Sequence, residues 1–388
     1  MFRRRDGGCT SDVSRRCDVL IVGGGPAGSS CAWHLVRAGL DVVVLDRATF
    51  PRDKVCAGWI TPAACVALDL DLDDYRRGRT LQPFTGFRTG RLHGATRLTD
   101  YGQVVSYGIR RCEFDAYLLH RSGAKVVDGQ PLKTLCRTAD GWIANDTIHA
   151  DMVVGAGGHF CPVARQLNPA ARNEPVVAQE IEYQLSEDEA AGCRVRGEHP
   201  ELFFWPDLRG YGWVVRKGAF LNVGAGRLQE GALPSSVHAF IGSLEARGML
   251  PPGLPARWKG HAYLLYRTAT RALFDDRTLL VGDAAGFALA PSGEGILAAI
   301  ESGLLAAAAI VEAHGCYSRD ALRAYGDAVT RRFGRRLPAG ADAPTVPAWL
   351  GPWVSRALFG TAWTTRRWVI EAGFLHPRRP PLTLEVHS

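Results

Sequence analysis

The chain has 388 residues, 46% of them hydrophobic and 22% charged, a balance that fits a folded globular protein and excludes a disordered or low-complexity chain. Such a length exceeds one ordinary core and predicts two domains, or one large α/β domain with an elaboration, with room to bury a sizeable ligand. The formal charge is +7, but the 46 basic residues, only five of them lysine, are dispersed along the chain, so no nucleic-acid partner is expected.

The N-terminus, "MFRRRDGGCTSDVSRRCD", carries basic residues but no apolar core of a secretion signal, and residues 1–16 read as a flexible basic tail. The ten cysteines include no CxxC pair, so they read as reduced cytosolic thiols with no disulfide or metal framework. The first strong signal is "CDVLIVGGGPAGSSCAWHLVRAGLDVVVLDR". Residues 18–22 predict a buried strand, Gly23, Gly25 and Gly28 fall at GxGxxG spacing, a helix runs to about Ala38, and a second strand ends in Asp46. In such a β-α-β unit the first glycine permits the tight turn, the second lets a pyrophosphate approach the backbone, and the third lets helix and strand pack closely. Free N–H groups at the helix start meet the anion, and the carboxylate of Asp46 can accept both hydroxyls of an adenosine ribose. Dinucleotide binding follows, although this motif alone does not separate NAD from FAD.

Downstream, "FPRDKVCAGWI" is too irregular for helix or strand, its proline and glycine suiting a fixed loop. "YGIRRCEFDAYLL" predicts an amphipathic helix, and "DMVVGAGGHFCPVAR" a strand ending in glycines. Segments 80–105 and 175–258 alternate in strand fashion, among them "YGWVVRKG", with a helix expected at 234–249. "RTLLVGDAAGFALAPSGEGI" runs from a strand into Gly282 and Asp283, then through a loop to Gly293 and Gly295. The apolar run that follows carries Glu301 near its middle and reads as a buried helix, not a membrane span. Residues 331–388, rich in Arg, Pro and Trp, predict a helical cap.

Taken together, residues 17 to about 330 resemble the FAD-dependent geranylgeranyl reductase-like branch of the group A flavoprotein monooxygenase superfamily, which has the p-hydroxybenzoate hydroxylase fold. The second FAD fingerprint is carried by Gly282 and Asp283, and the RxxFDxxLL element by Arg111, Phe114 and Asp115. Pro51, Lys54, Cys56, Ala57 and Gly58 correspond to PxxKxCGG, with Ala57 replacing the first glycine, and Tyr211, Trp213 and Lys217 to YxWxFPK, with Val215 and Arg216 replacing Phe and Pro. Gly157 stands where the family's GADG aspartate is expected.

The resemblance implies an α/β fold: a Rossmann-like FAD-binding domain (17–79, 106–174, 259–330), an inserted antiparallel-sheet substrate domain (80–105, 175–258) and a C-terminal helical cap (331–388). It implies FAD held by Gly23, Gly25, Ala27, Gly28, Asp46, Arg47, Lys54, Arg111, Gly282, Asp283, Gly293, Gly295 and Ile296. Asp283 would hold the ribityl chain, and the helix starting near Gly295 would point its positive end at the flavin edge where reduction places negative charge. Cys56, Tyr211 and Trp213 are the candidate catalytic residues on the substrate side. The implied activity is hydride transfer to a double bond of an apolar or amphiphilic small molecule. The alternatives are a monooxygenase or halogenase using a flavin C4a-peroxide, and a non-catalytic lipid-binding protein of the same fold. No second nucleotide-binding unit follows, so a transient donor such as NAD(P)H, reduced flavin or ferredoxin is expected. The cytoplasm, with possible peripheral contact at the inner membrane face, is the expected location.

Overall fold

The computed structural model describes residues 15–228, 233–250, 258–290, 292–338, 346–347, 349–377 and 379–384. Most of the tail expected over residues 1–16 lies outside them. Its last two residues do not: Arg15 and Arg16 begin the first strand, Arg15–Val22, pairing with Ile148 and His149.

Four consecutive buried residues in Val42–Leu45 mark a strand covered on both faces, as a parallel sheet requires. The sheet it joins runs in the order Phe274–Asp275, Thr278–Leu280, Ile148–Gly155, Arg15–Val22, Val42–Leu45, Lys125–Val127. The two central pairings are parallel, with Val19 opposite both Met152 and Val42. The helix Pro26–Arg37 packs against the longest helix, Ile296–Glu312. The approach is close enough that a Cβ on Gly303 would stand 2.2 Å from the Ala27 carbonyl oxygen. The apolar run around Glu301 is thus a helix buried on nearly every side.

A second, seven-stranded sheet takes the order Lys259–Tyr263, Val176–Gln184, Phe220–Leu228, Gly210–Lys217, Glu201–Phe204, Gly86–Arg91, Thr96–Asp100. Alternation gives it two apolar faces. Phe203, Val214 and Val223 pack against Phe240 and Leu244 of the helix Leu233–Ala246, while Leu202, Trp213 and Val215 pack against Val369 and Phe374 near the C-terminus.

Three details depart from the expected sheet. Its strands are not all antiparallel, because Glu201–Phe204 lies parallel to Gly86–Arg91. The strand Lys259–Tyr263, expected on the dinucleotide side of the 258/259 boundary, pairs instead with Val176–Gln184. Leu81–Phe84 leaves the sheet for a small three-stranded one with Trp59–Ile60 and Ser106–Ile109. That small sheet fixes the end of the proline- and cysteine-bearing loop.

The C-terminal region is helical over Gly351–Leu358 and Ala362–Thr364, then π-helical over Thr365–Leu375. No helix among the described residues is long and apolar enough to cross a membrane.

Candidate active site

The three glycines after the first strand occupy different environments. Gly23 has φ +117° and a Cβ there would lie 2.4 Å from the Ala156 carbonyl oxygen, so only glycine fits the turn. A Cβ on Gly28 would stand 1.9 Å from the Gly23 carbonyl oxygen, which is the close packing of helix on strand. At Gly25 a Cβ would meet only the Arg52 side chain, at 3.4 Å, because this residue faces a cavity. The helix starting at Pro26 aims its unpaired N–H groups into that space, where an anionic phosphate is favoured.

The cavity measures about 640 Å³. Its walls include Gly23, Gly25, Ala27, Asp46, Arg47, Lys54, Cys56, Arg111, Tyr211, Trp213, Asp283, Gly293, Gly295 and Ile296. Fourteen of the sixteen residues singled out in the sequence therefore meet in one space. Gly28 and Gly282 stand behind the wall. Gly282, at φ +58°, turns the chain so that Asp283 points inward, and its amide is bound by the Ser302 hydroxyl oxygen at 3.0 Å.

Asp46 closes one end. Its carboxylate accepts the amides of Gly24 at 2.7 Å and Ala48 at 2.8 Å, which fixes it beside the glycine loop. Arg111, also in the wall, spends two donors on Asp115, each at 2.8 Å, and Arg52 adds a contact to the same carboxylate at 3.1 Å. Asp115 is fully buried, so this one anion orients two cavity-lining guanidiniums.

Asp283 is a second carboxylate of the wall. Its carboxylate lies 3.5 Å from the Lys54 ammonium and 3.2 Å from His261 Nε2, and Lys54 reaches His261 at 2.7 Å. Burial works against charge on Asp283, yet Lys54 and His261 hold the carboxyl well below its usual range. Burial depresses both Lys54 and His261. His261 and Tyr263, two residues apart on one strand, both face the cavity. Sequence reading missed them, although "HAY" placed a histidine and a tyrosine on one strand face.

The loop from Lys54 to Gly58 is held from below by buried polar groups. Asn222 Nδ2 donates to the Cys56 carbonyl at 3.2 Å, and Lys217 Nζ donates to the Ala57 and Ile109 carbonyls, each at 3.1 Å. Lys217 is fully buried and pairs with Glu182 at 2.5 Å. Gly58, at φ +67°, admits no side chain, since a Cβ would lie 2.1 Å from the Ile109 carbonyl oxygen. Trp213 both faces the cavity and donates from Nε1 to Asn222 Oδ1 at 2.7 Å. Beside this group burial raises the Glu180 carboxyl to about 7, with the Cys56 amide and Lys217 opposing the shift. Two substitutions relative to the YxWxFPK pattern fall away from the cavity: Val215 packs in the sheet, and Arg216 Nε donates to the Gly218 carbonyl at 3.2 Å.

Beyond Cys56 the cavity becomes aromatic. Trp59 is stacked between Phe87, at 4.7 Å, and Phe374 of the C-terminal π-helix, at 5.2 Å. Tyr211 contacts the same phenylalanine edge-on at 5.4 Å and donates its hydroxyl to the Ser292 carbonyl at 2.5 Å. Phe374, a wall residue sequence reading did not single out, brings the C-terminal region onto the site.

A dinucleotide fits these residues. One glycine is bare toward the cavity, two helices begin at its wall, a carboxylate is fixed at the glycine loop, and Arg47, Arg52, Lys54 and Arg111 line the space. Comparison with known proteins agrees. The family model for FAD dependent oxidoreductases matches residues 18–81. The chain is 30% identical to the chloroplastic geranylgeranyl diphosphate reductase of Nicotiana tabacum over 324 residues, covering 77% of this chain and 67% of that protein. It is 29% identical over 350 residues to a menaquinone reductase of Mycobacterium tuberculosis, covering 83% and 82% respectively. In fold it matches a geranylgeranyl bacteriochlorophyll reductase-like protein from Thermoplasma acidophilum, with TM-score 0.70 and 22% identity over 89% of this chain and 88% of that one. The chain belongs to the geranylgeranyl reductase-like family of FAD-dependent oxidoreductases, and its cofactor is FAD.

Proposed function

We propose that this enzyme reduces a carbon–carbon double bond in an apolar or amphiphilic molecule carrying an isoprenoid chain, using electrons from a transiently docked donor. The observation that carries the reading is the change of character along one cavity, from glycine loops and cations at the dinucleotide end to Trp59, Tyr211, Trp213, Tyr263 and Phe374 beyond Cys56. Relatives named for geranylgeranyl and menaquinone substrates support the substrate class.

Gly25 and the helix from Pro26 would hold the pyrophosphate, with Arg111 and Arg52 set by Asp115 to neutralise it. Asp46 would take the ribose hydroxyls, and Asp283, Lys54 and the helix from Ile296 would hold the flavin end. When bound, FAD supplies the hydride equivalent. The aromatic wall excludes water and orients the apolar substrate. A proton must also reach the substrate, and the Cys56 thiol and the Tyr263 hydroxyl are wall groups able to hold one toward it. Burial keeps Tyr263 protonated. Tyr211 commits its proton to Ser292 and is a positioning residue.

Anaerobically reduced holoenzyme mixed with geranylgeranyl diphosphate or menaquinone should reoxidise its flavin and yield product heavier by two hydrogens. Reoxidation by oxygen alone, with an oxygenated product, would transfer the protein to the monooxygenase reading.

A further inference from the structure

The C-terminal helices carry a feature the reaction does not use. All four exposed tryptophans among the described residues, Trp349, Trp353, Trp363 and Trp368, lie within this region and are 54–75% exposed. Trp349 stands just before the N-cap of the helix Gly351–Leu358, and Trp353 lies in its first turn with the exposed Arg356 three residues on. Trp363 and Trp368 are five apart where the chain enters the wider π-helix, whose hydrogen bonds span five residues. That helix buries Thr365, Val369, Ile370 and Phe374, leaving Trp368 on the outside, with the Arg367 guanidinium 5.4 Å over its ring. The two helices are tied together, Thr365 donating to the Leu358 carbonyl at 3.0 Å.

We infer that this face is a docking surface for an anionic lipid bilayer. Exposed tryptophan is costly in water but favoured at the headgroup level, where its ring is buried and its N–H stays hydrated. Charge agrees with the assignment: Arg356 is exposed beside Trp353 and Arg367 lies over Trp368, while Arg366 pairs with Glu371 at 3.0 Å and Arg379 is committed to the buried Glu301. Such a patch suits a negatively charged headgroup layer. The same π-helix presents Phe374 to the cavity on its inner side, so docking would place the aromatic end of the active site next to the membrane. The inference needs no particular substrate and stands or falls apart from the proposed reaction.

The test is flotation of the purified holoprotein with vesicles of phosphatidylcholine alone or mixed with phosphatidylglycerol. The protein should float with the phosphatidylglycerol vesicles, less so as salt is raised, and barely with phosphatidylcholine. Replacing all four tryptophans by serine should reduce binding to background while flavin absorbance and far-ultraviolet circular dichroism stay native. Arg356→Ala, a milder surface change, should weaken binding by about fivefold. Lack of wild-type flotation would overturn the proposal, as would undiminished flotation of the fourfold variant. So would a wild-type dimer that the fourfold variant converts to monomer without any difference on vesicles, since the patch would then be covered by a second copy.

Discussion

Arg379, close to the C-terminus, donates to the Glu301 carboxylate in the middle of the long apolar helix at 2.7 Å. Arg332 binds the same carboxylate through Nε at 3.0 Å. Glu301 has no exposed side-chain surface, whereas its partners keep 13% and 21% of theirs. The pair pins the tail to the helix whose start faces the cavity, and His376 adds a contact to Glu294 at 3.4 Å.

Glu301→Gln should therefore destabilise the protein. Removing one member of a fully buried pair costs about 3–5 kcal/mol, and here the surviving arginines can partly reach water, so about 2–3 kcal/mol is expected. Urea denaturation measures it. Unchanged stability would mean that the ion pairs of Glu301 with Arg332 and Arg379 contribute nothing net to the fold.

What was legible before the fold was known followed from local backbone chemistry. Gly23 and Gly28 announce a turn with no room for side chains, Gly25 leaves the backbone bare toward the cavity, and strand, helix and Asp46 lie at short range. His261, Phe374 and Asn222 were not legible because their contacts join segments far apart in the chain: Lys54 to His261, Trp59 to Phe374, Cys56 to Asn222. Lys217 matched a motif position, but its task of holding two carbonyls from other segments emerges only in three dimensions. Arg111 was readable as a cavity cation, while the dependence of both Arg111 and Arg52 on Asp115 was not.

That dependence changes an expectation about flavin retention. Asp115 is not a wall residue, and from sequence only Asp283 would be expected to matter to the cofactor. Because Asp115 orients two guanidiniums toward the expected pyrophosphate, Asp115→Ala should weaken FAD binding about tenfold, a loss of one or two charge-assisted contacts. Asp283→Ala should weaken it further, since it removes a wall carboxylate and leaves Lys54 without its anion. Flavin absorbance per protein and fluorescence titration of the apoprotein give the ranking. Full occupancy in the Asp115 variant would show that the arginines hold their positions unaided.

The buried Glu180 makes a prediction about pH. Its carboxyl is raised from 4.5 to about 7 by burial. A group raised on folding binds its proton more tightly in the native state, so its stabilisation is complete below pH 4.5 and is lost as the pH climbs through about 7. Wild type should lose a few kcal/mol relative to Glu180→Gln across that window, an order-of-magnitude figure. Glu201, raised to about 7 as well, is present in both proteins and cancels. Parallel stability curves from pH 5 to 8 would place the Glu180 proton elsewhere.

Cys56 bears most directly on the chemistry. Its backbone is fixed by Asn222 and its thiol, which accepts the Gly58 amide at 3.4 Å, faces the cavity where the aromatic wall begins. Serine keeps the size nearly constant but is a much weaker acid, and alanine removes the group, so the two replacements divide proton donation from space filling. If the thiol hands a proton to the substrate, both variants should keep FAD and accept electrons from the donor at the wild-type rate. Their oxidative half-reaction with substrate should fall by about 10²–10⁴-fold, the usual contribution of a positioned acid. If Cys56 only fills space, each variant should change turnover a few-fold, in step with stability. Single-turnover oxidation of reduced Cys56→Ser decides, because its flavin loading and reductive half-reaction serve as internal controls. A near wild-type rate there would leave the Tyr263 hydroxyl as the wall group to test next, and Tyr263→Phe would then carry the loss expected of the thiol.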